Sequence, residues 1–162
     1  GRSDLHVVMV GDGDARSDAE HLAKSLGVDD MVEFVGWQGR QSVIRYLSSA
    51  DVGLATDPPG PLNDHSTMIK VIEYLAMGLP VVSFDLAESM VTAGDAALYT
   101  KGLNVADMAA NLARLADDAD LRDHLAVLAL ERTEGPLSWE TSRAALLSVY
   151  DDLIGDSGGG RR

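Results

Sequence analysis

Short apolar, Val-rich runs recur along the first hundred residues, and the segments between them carry apolar side chains at helical spacing. Leu5–Val10 ends in Gly11-Asp12-Gly13, after which Ala15, Ala19, Leu22, Ala23 and Leu26 repeat as one helix face; Asp14 or Ser17 suits its start and Gly27 its end. Met31–Val35 then precedes a helix over Gln41–Ser49, and Val52–Ala55 precedes one over Met68–Met77 with Gly78 behind it. Pro80–Phe84 and Ala96–Tyr99 read as two more strands. Strands apolar on both faces that alternate with helices specify a parallel sheet flanked by helices, because each crossover helix covers a face. After Tyr99 the pattern is purely helical, over Val105–Ala116, Asp120–Glu131 and Trp139–Ile154, with the acidic residues 117–120 marking a helix start. Residues 5–153 therefore read as one α/β domain, and the tail at 155–162, which has no apolar anchor, is expected to be disordered.

A chain of 162 residues has the length of a single domain and buries roughly 68–70% of its unfolded surface. Thirteen Lys and Arg against 26 Asp and Glu leave a charge of −13, which repels nucleic acid and anionic membranes, so an anionic ligand must be held locally. The absence of cysteine excludes disulfides, thiolate metal sites and a Cys nucleophile, and leans toward the cytosol. No run is long and apolar enough to span a membrane, and the first residues lack a signal-peptide core. A strand beginning as early as Leu5 suggests a piece of something longer. His6, His21 and His124 have no metal-ligand partner at i+3 or i+4, so no metal site is expected.

Ligands of open parallel sheets bind beyond the carboxyl ends of the strands, where helix N-termini offer free N–H groups. Three loops lie at such ends. Gly11 and Gly13 would let a ligand approach the backbone, although a purely structural turn explains them as well, since Arg16 replaces the third glycine of a dinucleotide fingerprint. Trp37 and Gln38, in Gly36-Trp37-Gln38-Gly39, suit either a nucleobase or packing over the sheet edge. The third loop runs from Asp57 into the helix at Met68 and carries Asn63, Asp64, His65, Ser66 and Thr67. On that helix Ser66, Lys70 and Glu73 share a stripe. One reading is a Lys70–Glu73 surface ion pair; the other sets the helix start and Lys70 on a diphosphate and Glu73 on the two hydroxyls of a ribose. Asp57 and Asp85 follow strand ends and suit loop caps or the cleft equally.

The order VGDGD, MVEFVGW, SSADVGLAT, STMIKVIEYLAMGLPVVSFDLAE and TAGDAALYT resembles the C-terminal, nucleotide-sugar-binding half of retaining GT-B-fold glycosyltransferases, over about residues 5–153. IEYLAMGLPVV is the specific block. The resemblance implies a Rossmann-like parallel sheet flanked by helices, with a helical C-terminal segment. It places Glu73 as the second acid of the family's E-x7-E motif, on the ribose, and the amides of Met68 and Ile69, with Ser66 and Thr67, on the diphosphate. Lys70 adds charge there, and Trp37 and Gln38 line the base. The first acid of the motif falls on His65, a departure that leaves an imidazole, with Asn63 and Asp64 beside it, to meet the transferred sugar; an exposed loop histidine is the alternative.

The implied reaction is transfer of a sugar from a nucleoside-diphosphate donor with retention, the leaving charge being met by helix dipole and basic groups rather than by a metal. The donor is a substrate, and no cofactor is expected. The resemblance also implies that an acceptor-binding half and the family's diphosphate-clamping basic pair stand outside this sequence. The isolated piece is then expected to hold part of the donor with little turnover, in a cytoplasmic protein whose membrane contact, if any, belongs to the other half. A nucleotide-sugar epimerase of the same fold and a non-catalytic interaction domain are the competing readings.

Overall fold

In the computed structural model, which describes Arg2 and residues 4–156, each apolar run becomes a strand and the strands alternate with helices. The backbone forms two compact units, one within Gly1–Ala50 and one within Asp51–Arg162.

In the first unit β1 (Val7–Val10) pairs in parallel with β2 (Val32–Gly36), joined through α1 (Arg16–Leu26), and α2 (Arg40–Ser48) follows. Gly27 ends α1 in the left-handed conformation, at a φ of 65°, as the sequence predicts. Neither Asp14 nor Ser17 caps its start; Ala15 is the N-cap, and the Arg16 N–H bonds the Gly13 carbonyl at 3.0 Å instead. Arg16 is the tie of this unit. Its Nε donates to Glu20 at 2.7 Å, its Nη2 to the Phe34 carbonyl at 3.0 Å, and its Nη1 lies 3.5 Å from Asp12. The guanidinium thus joins the turn after β1, the helix and the end of β2.

The second unit holds β3 (Gly53–Ala55), β4 (Val81–Phe84) and β5 (Ala97–Thr100), all parallel, in the order β3-β4-β5. α3 (Ile69–Ala76) links β3 to β4, and α4 (Ala87–Ala93) links β4 to β5. α5 (Val105–Asp117), α6 (Ala119–Glu134) and α7 (Trp139–Asp156) follow. Successive strand residues point to opposite faces. Ala55, Val81 and Ala97 accordingly enter one core with Val71 and Leu75 of α3 and Ala129 of α6, while Leu54, Val82 and Leu98 enter another with Leu115 of α5 and Leu125 of α6. Both faces are covered, which is why these strands read as largely apolar runs, with Ser83 and Thr100 as buried polar members.

The acidic helix start is observed: Asp118 caps α6 by accepting from the Leu121 N–H at 2.9 Å, and Asn104 caps α5 through the Asp107 N–H at 3.2 Å. α4 is an element the sequence did not announce. At seven residues it is too short for a periodic signal, and its last carbonyls are satisfied from a distance: Arg132 of α6 donates through Nε to Thr92 at 3.1 Å and through Nη2 to Val91. Among the described residues, the buried Ser89 hydroxyl of α4 has no hydrogen-bond partner. Ser89→Ala is therefore expected to leave stability unchanged or raise it by up to about 1 kcal/mol, since an unsatisfied hydroxyl is removed. A loss larger than that in a denaturant titration would contradict the assignment.

α7 carries Trp139, Leu146, Tyr150 and Leu153 in one stripe, and every side chain from 139 to 154 is exposed. It includes Gly155 and Asp156 of the tail expected to be disordered; Ser157–Arg162 lie outside the described residues. Among the described residues, no helix is long and apolar enough to cross a membrane.

Candidate functional site

The loop from β3 to α3 contains Pro58, Pro59 and Pro61, which fix φ at three positions and shorten the search for a single path. It then turns through a short 3-10 segment, Asn63–His65. Its polar residues brace the loop itself: Asn63 donates through Nδ2 to the Pro58 carbonyl at 2.8 Å, the Asp64 N–H reaches Gly60 at 2.8 Å, and the Ser66 hydroxyl donates to Leu62 at 2.6 Å. The Thr67 hydroxyl donates to Glu88 of α4 at 3.1 Å. Neither Ser66 nor Thr67 caps α3. Met68 is its N-cap, half-buried against the core, and no side chain accepts from the first turn. The Val71 N–H closes on the Met68 carbonyl at 2.9 Å, so the opening amides at Ile69 and Lys70 precede any intrahelical acceptor. The start of α3 therefore keeps N–H groups that no side chain accepts from.

Lys70 and Tyr74 stand one turn apart and both face the end of β3. The Lys70 ammonium lies 2.9 Å from each carboxylate oxygen of Asp57, and the Tyr74 hydroxyl donates to the Leu54 carbonyl at 3.2 Å. Burial, with the Asp57 and Glu73 carboxylates nearby, pushes the Tyr74 phenol above its usual range. The surface pair Lys70–Glu73 is not formed, because Asp57 offers both oxygens from the end of β3. That leaves Glu73 exposed, and among the described residues its carboxylate has no hydrogen bond or ion pair. His65 is likewise exposed and its imidazole has no partner among the described residues. Asp85 accepts from the Gly102 N–H at 2.8 Å, which makes it a brace between β4 and the turn after β5.

The unit thus gathers Asn63, Asp64, His65, Ser66, Thr67, Met68, Ile69, Lys70 and Glu73 on one loop and the first turns of one helix. Two participants were not singled out from sequence. Glu88 holds Thr67, and Gly53 makes room for Tyr74, whose ring atom Cδ2 would stand 2.4 Å from a Cβ at that position. A glycine inside an apolar strand is the signal for such a close approach.

The remaining candidates lie in the first unit, at the ends of β1 and β2. Gly11 has a φ of 138°, a conformation that favours glycine, and donates to the Gly36 carbonyl at 2.9 Å. A Cβ at Gly11 or Gly13 would meet nothing within 4 Å. Trp37 is 77% exposed, so it does not pack over the sheet edge, whereas Gln38 uses its amide nitrogen to donate to the Val35 carbonyl at 2.8 Å. Among the described residues, no group of three or more ligating side chains is placed to hold a metal ion.

Residues 1–118 match the family model of glycosyl transferases group 1. A D-inositol 3-phosphate glycosyltransferase of Kribbella flavida is 30% identical over 157 residues, covering 92% of this chain and 35% of that protein. Among solved structures, sucrose-phosphate synthase of Thermosynechococcus elongatus superposes with a TM-score of 0.71 at 22% identity, covering 92% of this chain and 38% of the other. The Anabaena HepE protein in complex with UDP gives 0.54 at 17% identity, over 81% and 37%. These structural likenesses show the fold, a sheet-and-helix half of the GT-B architecture. The chain spans 30–42% of the length of the curated relatives it matches. With the match of the family model extending over most of its length, the chain belongs to the glycosyl transferases group 1.

Proposed function

We propose that the start of α3 holds the diphosphate of a nucleoside-diphosphate sugar and that Glu73 accepts hydrogen bonds from the ribose hydroxyls. The observation that carries this reading is the uncapped start of α3, with Glu73 unengaged on the same helix. Four residues separate Ile69 from Glu73, roughly 6 Å along a helix axis, a span that suits the step from phosphate to sugar within a nucleotide. The amides supply oriented dipoles and Lys70, paired with Asp57, its remaining N–H donor, while the unpartnered Glu73 carboxylate can accept two hydroxyl donors. The Kribbella relative is a D-inositol 3-phosphate glycosyltransferase, and the Anabaena structure that shares the fold was solved with UDP; both are consistent with the reading.

In the longer protein the reaction would be transfer of the sugar with retention. The bond between the anomeric carbon and the diphosphate oxygen breaks, the electron pair leaves with the diphosphate, and an acceptor hydroxyl takes its place on the same face and passes its proton to the departing diphosphate. Charge develops on the leaving diphosphate, where the α3 dipole and Lys70 stand ready without reorganising. His65 is assigned to the hydroxyls of the transferred sugar.

Calorimetric titration with UDP, GDP and ADP tests the assignment. The chain is expected to bind at least one of them, and Glu73→Ala to weaken that binding about 10- to 100-fold, the value of hydrogen bonds to a charged acceptor. Binding by Glu73→Ala as tight as by the wild type would overturn the ribose assignment.

A further inference from the structure

We propose that Asp57 tunes the anion affinity of the α3 start by holding the Lys70 ammonium as its own counter-ion, so that removing Lys70 converts the site from attractive to repulsive. The inference rests on the reading that a diphosphate binds there.

Both oxygens of Asp57 lie 2.9 Å from the Lys70 nitrogen, so two of its three N–H donors are committed and one is left for a ligand. The Asp57 side chain is 22% exposed, against 42% for Lys70. The carboxylate sits in the less solvated place, where its field is screened least, and the ammonium forms its outer face. From residue 57 to residue 73 the charged side chains are Asp57, Asp64, Lys70 and Glu73, so Lys70 is the only cation on this loop and helix. Across α4, Glu88 adds another carboxylate, joined to Thr67. Within a chain of charge −13, a phosphate at this place meets local attraction from the helix amides and Lys70 and repulsion from most of what surrounds them. Lys70 then has two tasks: it cancels Asp57, and it contacts the ligand.

The test is a four-protein cycle, made of wild type, Asp57→Asn, Lys70→Met and the double variant. UDP, GDP and ADP are titrated at low and high salt, and thermal unfolding confirms that each variant folds. Asp57→Asn keeps the shape of the side chain and is expected to tighten nucleotide binding about threefold to tenfold, because all of the Lys70 charge becomes available. Lys70→Met is expected to weaken it about 100-fold, and the double variant to recover about tenfold of that loss. Salt gives a readout that a merely structural role would not move: added salt weakens binding to the wild type and strengthens it for Lys70→Met, whose remaining local charge is repulsive. A double variant that binds no better than Lys70→Met, or an Asp57→Asn variant that binds more weakly than wild type, overturns the inference while the nucleotide site stands. A wild type that binds none of the three nucleotides overturns the underlying site and the inference with it.

Discussion

Gly53→Val is expected to destabilise the second unit by about 3 kcal/mol or more, a large part of the roughly 5–15 kcal/mol that holds a domain folded. The cost comes from space alone, since the φ of Gly53 is not positive. A Cβ there would stand 2.4 Å from Cδ2 of Tyr74, 2.5 Å from Cγ and 3.0 Å from Cβ. These are atoms at the root of the ring, so no rotation of a flexible end relieves the clash. Nor can the helix retreat. Tyr74 is tied through its hydroxyl to Leu54, and its neighbours Val71 and Leu75 are wholly buried in the core against β4 and β5. Urea unfolding of Gly53→Val measures the effect, and a Gly53→Val/Tyr74→Ala double variant is expected to regain part of the loss, because the ring that blocks the new side chain is gone. A single variant within 1 kcal/mol of the wild type would show that α3 shifts freely on the sheet.

Leu75→Ala is expected to cost about 3–5 kcal/mol, the upper part of the range for burying a leucine-sized cavity. The spread in such substitutions reflects how far the surroundings collapse. Around Leu75 the fully buried neighbours can collapse little, although Met68, Leu128 and Leu137 pack against the same core from its edge. The core residues grouped with it are mostly alanines, Ala55, Ala93, Ala96, Ala97 and Ala129, whose methyl groups sit on strand and helix backbones and cannot lean into a void. Only Val71 and Val81 among the buried members have branched side chains, and these are stiff. The same substitution should weaken nucleotide binding, because α3 carries both the diphosphate and the ribose contacts proposed above. Paired measurements of unfolding and of UDP, GDP or ADP binding separate the outcomes: full stability would contradict the packing argument, and lost stability with unchanged affinity would contradict the role of α3 in presenting the ligand.

The strands of the second unit were legible because burial on both faces favours apolar residues, so Pro80–Phe84, apolar but for the buried Ser83, announces β4 without any knowledge of its partners. The position of Glu73 was legible for a related reason. On a helix that is apolar around most of its surface, a carboxylate at the outward position stands out, and the family resemblance gave it a role. The ion pair of Lys70 was not legible. Its partner is Asp57, thirteen residues back across a proline-rich loop, and only the fold brings the two together, whereas local spacing pointed to Glu73. α4 stayed hidden because its seven residues are too few for a periodic signal; Gly94 ends it at a φ of 53°, and Arg132, forty residues on, supplies further donors to its last carbonyls. The division at Ala50 and Asp51 also left no trace, since the surrounding residues are neither rich in proline nor in glycine and the alternation of strand and helix runs straight through it.

α7 has a consequence for how the molecule opens. Most helical stability in proteins comes from packing, and α7 places none of its residues from 139 to 154 in either core of its unit. Its opening exposes little that was covered, whereas opening α3, α5 or α6 uncovers Leu75, Leu115 or Leu125. The amide protons of α7 are therefore expected to exchange with solvent through local fraying, and those of the sheet and its packed helices through opening of the unit as a whole. A circular dichroism signal counts both populations and a buried reporter counts one, so two probes of the same unfolding describe different transitions.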